Sequence, residues 1–287
     1  MDMLEDVCFG PYNFEVAMIF RTSLFTSSIL TNSETWLGLT VSEIEQLEQV
    51  DENLMRKILE VGQGCPKEML YLELGCKPIR FTIMMRRLMF FHYLLNEDSN
   101  SLIHRVLQAQ IKNPSKDDFI LSVESTLDEL DIHLSHDDIK NLSKETFHKF
   151  AKKQIEEKAL AFLNQIKLKH SKVLNIQHES LKMQEYLLPE NVRSIKLAKF
   201  LFSARCRMID VKANFGNMYK GNMKCKLGCD EIDSQEHLLE CPILDEKELS
   251  VVGGSQYADL FSSQVEDQLR IASVLEERFS RRKQKTK

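Results

Sequence analysis

The chain has 287 residues, 43% hydrophobic and 28% charged, with a formal net charge of -5. That balance excludes a disordered chain and fits a folded globular protein of one large or two ordinary domains. Only 10 Gly and 6 Pro are present, which leaves little room for Gly-rich loops and favours helices joined by short turns.

No run is long and apolar enough to span a bilayer; the best candidate, residues 81–95, contains Arg86, Arg87 and His92. The first residues are acidic and lack the basic start and apolar run of a signal peptide. A nuclear or cytoplasmic location is therefore expected. The 7 cysteines fit it, since an odd number with three crowded into 225–241 is unlike a disulfide framework. The small net charge conceals a segregation. Residues 1–139 hold 11 Lys/Arg against 23 Asp/Glu, residues 140–229 hold 19 against 7, and residues 230–287 hold 8 against 13. A central block this basic suits a polyanion, or else pairs with the acidic N-terminal third.

In chain order, residues 14–31 predict a weakly patterned helix or helix pair rich in Ser and Thr. Thr40 with Glu43 predicts a capping box, followed by Ile44, Leu47 and Val50 on one face. Asp51 is expected to cap a second helix carrying Leu54, Ile58 and Leu59, which Gly62–Pro66 breaks. Pro78 stands at the first turn of a long helix to about Leu95. Its apolar positions wrap most of the circumference, so it is expected at the centre, with Leu70, Leu72, Ile79, Ile83, Leu88, Phe91 and Leu94 buried. Asn100 or Ser101 caps a helix to Ile111, and Ser115 with Asp118 boxes a helix over 116–130 that buries Phe119, Ile120, Val123, Leu127 and Leu130. Ser135 and Asp138 repeat that device before Leu142. Ser143 opens the longest helix, to about His170, with an apolar face through Phe147, Ala151, Ile155 and Ala159 and a basic face opposite. A short helix is expected at Leu181–Leu188, a further helix over 191–209, and a last amphipathic helix at 256–279, ahead of a frayed basic tail. The fold class is all-α: an irregular multi-helix assembly with a small zinc-binding module near the C-terminus. The expected divisions are a helical domain over 1–98, a connector with a basic surface over 99–220, the module over 221–245, and a terminal helix and tail over 246–287.

The one strong chemical pattern is Cys225, Cys229, His237 and Cys241, spaced C-x3-C-x7-H-x3-C. Zinc prefers four tetrahedral sulfur or nitrogen ligands, and a tight turn carrying two thiolates is a common half-site. Gly228 permits that turn. Ser234 caps a short helix from Gln235, which sets His237 and Cys241 four apart on one face, and Pro242 stops it. Three thiolates and an imidazole fill the shell, so a structural Zn2+ is expected rather than a catalytic one. Cys8, Cys65, Cys76 and Cys206 read as core residues. His133 and His136, among Asp131, Asp137 and Asp138, fall where caps are expected. No P-loop, dinucleotide fingerprint, nucleophile elbow or H-E-x-x-H occurs, so no catalytic residue is assigned and no enzymatic activity is expected.

Several segments carry a resemblance: Ser33 to Trp36; Leu70 to Gly75 with Pro78-Ile79-Arg80; Arg86-Arg87-Leu88; His170 to Val173; Tyr186-Leu187; Lys212 to Phe215; and Ser234 to Pro242. In this order the chain resembles, over about residues 18–245, the C-terminal part of the reverse-transcriptase polyprotein of non-LTR (LINE-like) retrotransposons. The resemblance implies a thumb (about 18–96), a helical connector and a CCHC zinc knuckle, with RNA or DNA handling but not the chemistry, whose aspartate signature would lie upstream. No Tyr/Phe-x-Asp-Asp occurs here. The ligand spacing also departs from the compact C-x2-C-x4-H-x4-C knuckle, and no endonuclease region follows it. The expected function is binding of RNA or single-stranded DNA through Arg86, Arg87, Arg193, Lys196, Lys199, Arg205, Arg207, Lys212, Lys220, Lys224 and Lys226. Phe215 and Tyr219 lie among these lysines; Phe215 is expected to pack on the zinc loops more than to stack on bases. The alternative is a zinc-stabilised scaffold with a helical protein partner.

Overall fold

The computed structural model describes residues 14–174, 176–192, 194–218, 221–244 and 256–286. The expectations placed on Cys8, Arg193, Tyr219 and Lys220 lie outside them. Helix makes up 66% of the structure, with no strand among the described residues; two isolated β-bridges join Leu74 to Met183 and Lys224 to Ile232. The all-α expectation holds.

Helix α1 (Phe14–Phe20) continues through a π-helical turn at Arg21–Thr26 and a helical turn at Ser27–Ile29. Hydroxyls compete with the backbone there: Thr22 Oγ1 donates to the Met18 carbonyl at 2.7 Å and Ser28 Oγ to that of Leu24 at 2.7 Å. Helix α2 (Val41–Leu59) has the expected box, with the Glu43 N–H on Thr40 Oγ1 and the Glu43 carboxylate on the Thr40 N–H. It does not break at Asp51, contrary to expectation. Arg21 Nε donates to Asp51 Oδ1 at 2.7 Å, with Asp51 fully buried. A carboxylate with an arginine partner has no need of a free helix-start N–H, so the helix runs through.

Helix α3 (Lys67–Leu74) is buried from Glu68 to Leu74. Gly75 ends it at φ +66°, where a Cβ would lie 2.0 Å from the Met183 nitrogen. That close approach explains a second correction, at Leu181–Leu188. The Gln184 N–H donates to the Glu73 carbonyl at 2.9 Å, so the segment lies extended across the carbonyl end of α3. Only Glu185–Leu187 winds into a 3-10 turn.

Helix α4 (Ile79–Asn96), with Pro78 at its N-cap, packs against α2, α5 (Leu102–Lys112), α6 (Phe119–Glu129), α7 (His136–Asn141) and α8 (Lys144–Lys167). All seven positions expected to be buried in this region are so. Helix α6 begins later than its box suggested, because the Asp118 carboxylate takes the Ser115 N–H at 2.7 Å from the N-cap position itself. The box on α7 forms as expected. Helices α9 (Ile195–Arg205), α10 (Gln235–Glu240) and α11 (Val265–Lys285) complete the fold. The terminal helix expected over 256–279 is in fact a 3-10 turn at Tyr257–Phe261 followed by α11. The basic tail is helical to Lys285, because Arg282 is buried against Asp233.

Two main apolar clusters result. One gathers α4 to α8; the other joins residues from 14–76 to residues from 163–275, including Cys225 and Cys241. Apolar packing therefore crosses the divisions at 98, 220 and 245, and the Cys/His module shares the larger core.

Candidate metal centre

A short hairpin brings the first two cysteines together. The Cys225 N–H donates to the Glu231 carbonyl at 2.8 Å and the Asp233 N–H to that of Met223 at 2.9 Å. Within the loop, the Gly228 N–H reaches the Cys225 carbonyl at 3.1 Å, with Gly228 at φ +97°. That left-handed conformation is the reason for glycine here. The Leu227 N–H points at Cys225 Sγ, 3.4 Å away. Ser234 Oγ accepts the His237 N–H at 3.0 Å and starts α10, which carries His237 and ends at Cys241.

The four donor atoms lie within 4.8 Å of one another. Cys229 Sγ is 3.0 Å from His237 Nε2 and 3.7 Å from Cys241 Sγ. Cys225 and Cys241 are buried, Cys229 and His237 half-buried. Burial, then hydrogen bonding of the Cys229 thiol to Cys225 and Cys241, pushes it up to about 12. Three thiols gathered around one point resist losing their protons together; a cation among them reverses that preference. The cluster could hold a metal ion.

The surroundings are polar and densely hydrogen-bonded. Gln235, wholly buried, donates to the Ala204 carbonyl at 3.0 Å and to Tyr257 at 2.8 Å, and accepts from Asn214 at 2.7 Å. Asp233 accepts the Lys212 N–H at 3.0 Å and the Arg282 guanidinium at 2.5 Å. Arg278 and Lys285 donate to the carbonyls of Leu238 and Ile243 at 3.5 and 2.9 Å. Helix α11 is thereby strapped to the Cys/His module.

The expected nucleic-acid residues do not form one stripe. Arg86 donates to the Leu30 carbonyl and to Ser33 Oγ; Arg87 donates to Thr126 Oγ1 at 3.0 Å and the Trp36 carbonyl at 2.9 Å. Arg205 is buried, 3.1 Å from Glu73 and 2.6 Å from the Leu260 carbonyl. Lys199 pairs with Glu60, Arg207 with Glu236, Lys196 with Glu276 and Lys226 with Asp210. Lys224 pairs with the exposed Asp230 at 2.7 Å, and Lys212 Nζ lies 2.8 Å from the Lys224 carbonyl. Phe215 is half-buried under Lys172, whose Nζ stands 5.8 Å from its ring centre.

Sequence reasoning missed a buried group centred on Glu73. Its carboxylate takes hydrogen bonds from Tyr186 at 2.7 Å, His178 at 3.2 Å and Arg205 at 3.1 Å. The only signal was an acidic residue following the apolar run Met69–Leu72 of α3. The Asp/His group at 131–138 resolves into separate contacts: Asp138 caps α7, Asp131 pairs with Lys158, and His136 with Glu124. No helix among the described residues is long and apolar enough to cross a membrane. No protein-family model, curated protein or solved structure matches this chain.

Proposed function

We propose that Cys225, Cys229, His237 and Cys241 hold one structural zinc ion, and that the chain is a non-catalytic, zinc-braced module binding RNA or single-stranded DNA. The zinc assignment is carried by the donor set. The 3.7 Å between the Cys229 and Cys241 sulfurs compares with about 3.8 Å along the edge of a tetrahedron of Zn–S bonds near 2.3 Å. Four protein ligands leave no position for a reacting water.

The nucleic-acid reading is supported by one outer feature. Lys172 Nζ lies on the Asn214 carbonyl and 5.8 Å from the Phe215 ring centre, and Lys212 of the same turn reaches the Lys224 carbonyl. A cation over an aromatic ring is one element of a single-strand site. The ordered motifs that resemble a retrotransposon reverse transcriptase point the same way. The scaffold reading is favoured by a different observation: Lys196, Lys199, Arg205, Arg207 and Lys226 all face carboxylates of their own chain.

Metal analysis of the wild type and Cys229→Ser, paired with single-stranded RNA titrations at several salt concentrations, tests the proposal. The wild type should hold one zinc per chain and bind with a steep salt dependence; Cys229→Ser should lose the metal. Full zinc retention in the variant overturns the ligand assignment, and salt-independent or undetectable binding leaves the scaffold reading.

A further inference from the structure

The outer face of α8 is a second cationic surface. Lys144, His148 and Lys152 follow one another at four-residue spacing, and Lys149 and Lys153 form the neighbouring row; all five are exposed. These side chains share one side of the helix over roughly 13 Å, from nine residues at a 1.5 Å rise. Lys144 and Lys149 make no ion pair with any described residue. Lys152 and Lys153 reach Glu156 and Glu157 only at 3.8 Å, with every partner about half exposed or more, and such pairs exchange readily for another anion.

Part of the arrangement runs against what stabilises a helix. Cations are favoured at the C-terminal end and acids at the N-terminal end, and Glu preceding Lys is better than the reverse. Here four lysines stand in the N-terminal half and Lys152 and Lys153 precede their glutamates, while Glu145 in the first turn, four before Lys149, and Lys167 in the last keep the favourable order. The basic residues of 193–226 are mostly engaged inside the fold, whereas this ridge stands open.

We propose that this ridge of α8 binds the phosphate backbone of double-stranded nucleic acid without regard to sequence. Lysines are point charges suited to phosphate and lack the planar fork that reads base edges. The aromatic residues of this stretch are turned inward, Phe147 buried and Phe150 packed on the core, so the ridge offers no stacking platform for a single strand. The choice of partner rests on the nucleic-acid reading above, but the surface is separate from the zinc loops.

The test is fluorescence anisotropy of the full chain against a labelled duplex, a labelled single strand and poly-glutamate, with Lys149→Ala/Lys153→Ala and Lys212→Ala/Lys224→Ala compared to wild type. Alanine at exposed helical positions keeps α8 helical, and far-UV circular dichroism with Lys149→Gln/Lys153→Gln as a second variant checks this. The α8 variant should lose roughly tenfold to a hundredfold in duplex affinity at 0.1 M salt, its log–log salt slope shallower by about 1.8, with single-strand binding unchanged. The loop variant should do the reverse. Unchanged duplex affinity and slope in the α8 variants, or no duplex binding by wild type at low salt, overturns the inference. Equal loss for poly-glutamate assigns the ridge to an acidic protein instead. Duplex binding that survives while single-strand binding is absent sinks the zinc-loop site alone.

Discussion

Glu73 shows how a single side chain decides the stability of the larger core. Burial alone would push its carboxyl up, but Arg205 and the hydrogen bonds of His178 and Tyr186 outweigh burial and hold it at about 2, against an ordinary 4.5. A carboxyl depressed in the folded state stabilises the protein above the unfolded value and loses that contribution as pH falls through the folded one. Stability should accordingly decline between pH 4.5 and 2, which acid-unfolding curves followed by circular dichroism will show. Arg205→Ala strands the carboxylate and should cost about 3–5 kcal/mol in urea denaturation at pH 7. The double variant Glu73→Leu/Arg205→Met should recover most of it, since a paired charge replaced by apolar groups is close to neutral. Glu68 is a different case: it is buried, neither carboxylate oxygen has a hydrogen-bond partner, and burial pushes its carboxyl up. None of this was legible in the sequence, because the partners of Glu73 lie 105 to 132 residues away.

Among the helices, what could be read locally was read well. Thr40, Ser101, Ser135, Ser143 and Ser234 each accept a first-turn N–H at the start of their helices. Helix α4 is as enclosed as its apolar circumference implied. The cluster of Cys225, Cys229, His237 and Cys241 was legible for the same reason: its ligands are close in sequence and their turn and cap are local. The errors came where a distant partner changed the outcome, as Arg21 did at Asp51 and the end of α3 did at Leu181–Leu188. The box at the start of α2 lends itself to a simple measurement. Thr40→Ala should cost about 1 kcal/mol of stability in chemical denaturation, with a Ser substitution close to wild type; no loss on Thr40→Ala would show that tertiary packing alone sets the start of α2.

Across the whole molecule, the segregated charge is largely spent inside the chain. The acidic first third supplies Glu60 and Glu73 to Lys199 and Arg205 of the basic block; the terminal helix supplies Arg282 to Asp233 beside the Cys/His cluster. With the proposed zinc bound by the Cys/His cluster, binding free energy becomes folding free energy for the segments it cross-links. Chelation should therefore raise amide hydrogen exchange over 223–244 and along α11, which Arg278, Arg282 and Lys285 tie to it, while α4 to α8 keep their protection. Equal loosening of α4 would show instead that the two apolar clusters unfold as one.

The union of early and late residues in one core also sets a timetable for synthesis. A ribosome adds about 5–20 residues per second, and Arg205 follows Glu73 by 132 residues. For roughly 7 to 26 s after α3 has been made, its apolar side chains and its acidic group stand without their covering. A nascent chain in that state offers a hydrophobic surface to chaperones. Slowing translation anywhere within 75–205 should lengthen that engagement, whereas slowing it before residue 67, ahead of α3, should not.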